Sequence, residues 1–183
     1  MSSFVRAVIL VLGLSLGAMA GPAAAQQLTA AQLGAAEARL ASFDALLDAG
    51  RMGDGVDFLP PPLLASLAAR YGVTVDEARA ATRDSVQGML EEVTILESGH
   101  DFSRAQLKIT PDGQRTYLLV PMTMTMQAGD IRAASASQTL MFEDQGQWWV
   151  LSVQPGVLTD LLREAYPEFA GVEFPVDVFE VLD

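Results

Sequence analysis

The stretch RTYLLVPMTMTMQAGDIRAASASQTLMF, residues 115–142, decides the fold. Met122, Met124 and Met126 alternate with Thr123 and Thr125, which is the period-two pattern of a strand with two unlike faces. Ala128-Gly129-Asp130 supplies the turn residues, and 131–142 returns as the partner strand. A hairpin of this length commits the second half of the chain to antiparallel sheet. Outward from it, Pro111-Asp112-Gly113 marks a tight turn from a shorter strand at 105–110, and 93–98 reads as an earlier strand. On the other side, Asp144-Gln145-Gly146 turns into a closing strand at 147–154 that carries Trp148 and Trp149. All these links are short, so the expected sheet is a meander.

Upstream of residue 92 the period is helical. Thr29 with Gln32 has capping-box spacing, and Leu33, Ala36, Leu40, Phe43 and Leu47 then recur at three- and four-residue intervals up to Gly50. A Gly- and Asp-rich link at 51–58 runs into Pro60-Pro61-Pro62, where proline suits the first turn of a helix bearing Leu63, Leu64, Leu67 and Tyr71 before Gly72. Thr74 and Glu77 form a second capping box, and Val75, Ala78, Thr82, Val86, Met89 and Leu90 share one stripe of a third helix. Downstream of the sheet, Leu158, Leu161, Leu162 and Ala165 mark a short helix ending near Tyr166-Pro167. Beyond it, Val172, Phe174, Val176 and Val178 alternate with polar residues and proline, as in an extended segment on a sheet edge.

Three helices followed by a curved antiparallel sheet make an α+β domain, with the helices expected on one face of the sheet. The element order, the proline-rich break, the hairpin from Ser137 through Gln147-Trp148-Trp149 and the ending Tyr166-Pro167-Glu168-Phe169 resemble uncharacterised exported bacterial members of the nuclear transport factor two-like superfamily. The resemblance spans roughly residues 28–174. It implies a cone-shaped, cystatin-like α+β fold. It does not imply one activity, because that superfamily includes isomerases, dehydratases, dimerisation modules and non-catalytic binding domains.

Composition narrows the classes. The chain has 183 residues, 11 Lys plus Arg against 23 Asp plus Glu, one His and no Cys. A formal charge of −12 disfavours a phosphate-tracking surface, so no nucleic-acid partner is expected. Without Cys there is no disulfide, thiol catalysis or lipid-modified cysteine. Residues 1–25 hold Arg6, an apolar run from Ala7 to Met19 and the small residues Ala23-Ala24-Ala25, the pattern of a cleaved secretory signal. The run is too short to span a bilayer. The expectation is a periplasmic domain at 26–183, away from the membrane after cleavage, with an acidic extended tail at about 167–183.

Few residues offer chemistry. His100 is the only imidazole, and its Ser98-Gly99-His100-Asp101 setting reads as a solvated loop. Tyr117 reads as a core tyrosine. No nucleophile elbow, phosphate loop or paired histidines occur, so no catalytic residue, cofactor or resident metal is expected. Met122, Met124 and Met126 put three thioethers on one strand face, which could fill core, line an apolar ligand site or hold Cu(I). The facing segment Ala133-Ala134-Ser135-Ala136-Ser137 is small enough to leave a cavity or to admit a helix. Trp148 and Trp149 must point to opposite sides. Trp149 shares the face of Leu151 and Val153 and is expected in the core, and Trp148 aligns with the mixed set Val150, Ser152 and Gln154 and is expected to be a partly exposed interface residue, as in a homodimer. After Arg163 come six acids and no base, a solvated tail or a docking segment for a basic protein through Val176, Val178 and Phe179. The reading that results is a non-catalytic module holding an apolar small molecule or a partner protein. The alternatives are an isomerase- or dehydratase-type enzyme and a Cu(I)-binding protein.

Overall fold

The computed structural model describes residues 27–154 and 156–182, so the proposed export signal at 1–25 lies outside the described residues. Helices α1 (Ala30–Asp48), α2 (Pro61–Tyr71) and α3 (Val75–Glu92) precede strands β1 (Thr94–His100), β2 (Gln106–Ile109), β3 (Thr116–Ala128), β4 (Ile131–Asp144) and β5 (Gln147–Ser152). Helix α4 (Val157–Ala165) and strand β6 (Val178–Leu182) complete the domain. Both capping boxes form: the Thr29 and Thr74 hydroxyls accept from the backbone N–H groups of Gln32 and Glu77, and those side chains accept from the threonine backbones in return. Pro61 opens α2, and Gly72 closes it in the left-handed conformation that a Cβ would oppose. The link at 51–58 contains a 3-10 turn over Met52–Phe58, where a loop was expected.

The fold is α+β with a curled antiparallel sheet forming a half-barrel. Its spine is the β3–β4 hairpin, continuously paired from Tyr117 opposite Phe142 to Ala128 opposite Ile131. The flanking strands depart from a simple meander. Strands β1 and β2 both pair with β3, at Met122–Gln127 and Thr116–Leu119, and β5 and β6 both pair with β4, at Thr139–Asp144 and Arg132–Ala136. Pro121, opposite Gln138, sits where the neighbours change. Proline cannot donate to a strand ladder, so the gap between β2 and β1 is where a central strand tolerates it. Its carbonyl still accepts from the Asp101 N–H at 2.9 Å.

Pro121 divides the hairpin into two halves. In the proximal half, the consecutive residues Tyr117–Val120, Thr139–Phe142 and Trp148–Leu151 are all buried. Continuous burial means that both faces are covered. Ala36 and Leu40 of α1 and Phe58 of the 3-10 turn pack with Leu118, Val120, Met141, Trp148 and Val150 on one face. Leu63 of α2 and Leu161 and Leu162 of α4 pack with Tyr117, Leu119, Phe142 and Trp149 on the other. This corrects the expectation of helices on one face only: the first two helices part around the sheet, and α4 joins α2. It also corrects the interface role read for Trp148. Trp148 is 4% exposed and Trp149 8%, so each ring fills a different core. Val150, on the same face, is buried with Trp148, whereas the polar residues Ser152 and Gln154 lie at the end of β5 and beyond it. The tail is corrected too: the paired strand is Val178–Leu182, several residues later than the alternating stretch at 172–178.

Candidate functional site

The distal half of the sheet is built differently. Beyond Pro121, Met122, Met124 and Met126 are half-buried, on the same strand face as Leu118 and Val120. Across β4 they meet Ser137, Ser135 and Ala133, and across β1 they meet His100, Ser98 and Ile95. On the far side of β4, Phe179 stands opposite Ser135 and Val181 opposite Ala133. The result is a trough with a floor of small residues and walls of thioethers on one side and Phe179 and Val181 on the other. Among the described residues the helices reach β4 through its proximal residues Leu140, Met141 and Phe142, α1 and α3 contact β1, and no helix contacts β6 substantially. Phe179 is 63% and Val181 72% exposed, and Val178, Val176 and Ile131 are exposed as well. The small-residue segment lines none of the three hollows below, and its outer neighbour is β6.

His100 is not a solvated loop residue. It ends β1, its side chain is 0% exposed, and its Nδ1 lies 2.5 Å from Asp44 Oδ1 on α1. Its Nε2 lies 2.8 Å from Thr139 Oγ1 on β4, and Phe43 meets the ring edge-on. In the neutral imidazole Nδ1–H donates to the carboxylate and the Thr139 hydroxyl donates to Nε2. Carboxylate, imidazole and hydroxyl in that order would activate a nucleophile where a substrate could reach it. Thr139 is buried, and none of the three hollows below opens on it. What the three residues do is tie α1, β1 and β4 together. The sequence did carry one signal for this: Asp44 stands one turn from both Leu40 and Leu47, an acid beside an apolar stripe that needs a partner. Because both His100 nitrogens are occupied, the ring opposite Met122 is not offered to the thioethers as a fellow metal ligand.

A second polar centre lies at the proximal end. Arg115 donates from Nε to Glu168 at 2.5 Å and from a terminal nitrogen to the Glu143 carbonyl at 2.7 Å, and it lies 3.6 Å from Asp144. Tyr166 donates to Asp144 at 3.1 Å, and burial, reinforced by that carboxylate, holds its hydroxyl well above the usual range. Sequence reading passed over this cluster because its members are spread from Arg115 to Glu168. Tyr117 is in the core as expected, and burial raises its hydroxyl too.

Among the described residues, three of the open surface hollows bear on the site. One of about 430 Å³ is lined by Gln32, Arg115, Glu143, Asp144 and Trp148, another of about 430 Å³ by Leu47, Leu90 and Val93 to Ser98. The third, about 580 Å³ and mostly apolar, lies between α2 and α3 at Leu67, Tyr71, Ala78 and Val86. Met122, Met124 and Met126 line none of the three. No described helix is long and apolar enough to cross a membrane, and no three described His, Cys, Asp or Glu residues gather as metal ligands. Compared with family models, curated proteins and solved structures, the chain finds no match.

Proposed function

We propose that this is an exported, non-catalytic interaction module whose distal sheet half, with β6, is the surface that receives a partner protein. One observation carries the reading: the β3–β4 hairpin keeps its strand pairing past Pro121, and on the face of the half-buried methionines β6 and the start of β4 leave Phe179, Val181 and Ile131 exposed. Isolated exposed apolar residues are ordinary, but a contiguous set of this kind marks an interaction site. A protein surface suits it better than an enclosed apolar small molecule, since the trough is open and the paired core beside it is filled. The burial of Thr139 and the engagement of both His100 nitrogens weigh against the enzyme and Cu(I) alternatives. Export rests on residues 1–25, and membership of the nuclear transport factor two-like superfamily rests on the resemblance already described.

The test is site-specific photo-crosslinking in the native host. A photoreactive side chain at position 179 or 124 is expected to give a discrete protein adduct, and the same group at Tyr71, at the end of α2, is expected to give none. Absence of adduct at 179 and 124, or equal adducts at Tyr71, overturns the reading.

A further inference from the structure

Strand β6 pairs with β4 on one side only. Along its other side alternate backbone N–H and C=O groups face outward, the arrangement that accepts an added strand. Natural edges are usually blunted by lysine, proline or a bulge. The β6 sequence, Val178-Phe179-Glu180-Val181-Leu182, has none of these; Glu180 is its one charge. Phe179 and Val181 stand on the methionine face, and Val178, Glu180 and Leu182 on the other, so an incoming strand would meet apolar residues on one side and a carboxylate on the other.

The acids around this edge differ from those earlier in the tail. Glu164 pairs with Arg70 and Glu168 with Arg115, whereas no base lies within ion-pair distance of Glu173, Asp177 or Glu180 among the described residues. Of these, Asp177 directly precedes β6 and Glu180 lies within it, and unpaired carboxylates at an open edge favour a partner that brings positive charge. They disfavour a second copy of this chain. Antiparallel self-pairing that keeps every apolar residue of β6 opposite an apolar one sets Glu180 against Glu180, and each copy adds a formal charge of −12.

We infer that the free edge of β6 binds an extended polypeptide segment of alternating apolar and basic residues, added to the sheet as a further strand. This rests on the interaction-module reading and specifies its partner. Backbone pairing supplies the docking geometry, Phe179 and Val181 take the apolar residues, and Glu180 selects for Lys or Arg.

The probe is a short fluorescent peptide alternating valine and lysine, titrated against the protein by anisotropy. An analogue with glutamate for lysine and one interrupted by proline serve as controls. The basic peptide is expected to bind at least about tenfold more tightly than either control, and Glu180→Lys should weaken it about tenfold, or about 1.4 kcal/mol, with an unchanged thermal melt. Equal binding of the proline-interrupted peptide would reduce the effect to non-specific charge attraction and overturn the strand-addition inference. So would no binding of any peptide. A dimer in sedimentation experiments that Phe179→Ser dissociates would also overturn it, by giving the edge to a second copy. In each of these cases, crosslinking at 179 reports separately on the broader reading: an adduct there with no selective peptide binding means the interaction module stands and only its partner chemistry is wrong.

Discussion

The two halves of the β3–β4 hairpin share one unbroken ladder and differ in everything attached to it. On the proximal side of Pro121, residues Tyr117–Val120 are buried on both faces between α1 and the α2–α4 pair; on the distal side, Met122–Gln127 is half-buried or exposed between β1 and β4, and β6, the outer partner of β4, has no substantial helix contact. Strand pairing and burial are thus separable. Pairing follows from the turn at Gly129 and the backbone, which continue regardless of side chains, whereas burial ends where the helices end. Stability should concentrate in the first half and recognition in the second.

The strongest test of that contrast is Phe142→Ala. The ring is wholly buried against Tyr166 and Phe169, and its loss should cost about 3–5 kcal/mol in chemical denaturation. Trp148→Ala and Trp149→Ala should each cost a similar amount, because both rings are core. A much smaller cost for Trp148 would reopen the case for an exposed interface tryptophan. Next comes His100→Ala, which removes the tie between Asp44 and Thr139 and leaves a buried hydroxyl without its partner, for an expected loss of about 1–3 kcal/mol by the same measurement. On the distal side, Met124→Ala should cost only about 1 kcal/mol, since the thioether is already partly solvated. A loss as large as that of Phe142→Ala would show that something covers the trough in the isolated protein.

The smallest effects are electrostatic and of opposite sign. Asp112, in the turn before β3, accepts from the Thr110 hydroxyl at 2.6 Å and the Gln114 N–H at 3.0 Å, which hold its carboxyl below the usual range. Its contribution is present above the normal carboxylate pKa and disappears as pH falls through the lowered value. Asp177, before β6, is raised by burial, so it weakens the fold while ionised and the penalty lifts as pH falls through the raised value. Thermal melts across the acid range should therefore show Asp112→Asn flattening the acid-side fall in stability. Asp177→Asn should raise the melting temperature slightly at neutral pH and lose that advantage on acidification. Matching slopes for the two variants would contradict these opposite roles.

What the sequence determined by itself is local. Thr29 with Gln32, Thr74 with Glu77, the proline at the start of α2 and the turns at Gly113, Gly129 and Gly146 act within a few residues, so helices, hairpins and the α+β class could be read directly. The tertiary structure alone decided which faces are covered. Trp148 looked partly exposed because Val150, Ser152 and Gln154 on its face are a mixed set, yet α1 arrives from more than a hundred residues earlier to bury it. His100 looked solvated for the same reason, since Asp44 and Thr139 are distant in the chain and adjacent only in space. The edge at β6 belongs with them: five residues at the end of the chain pair with the small-residue half of β4, and alternation along one strand cannot say which other strand it will meet. Local propensity acts through backbone geometry over a few residues, whereas burial depends on contacts whose sequence separation no periodicity records.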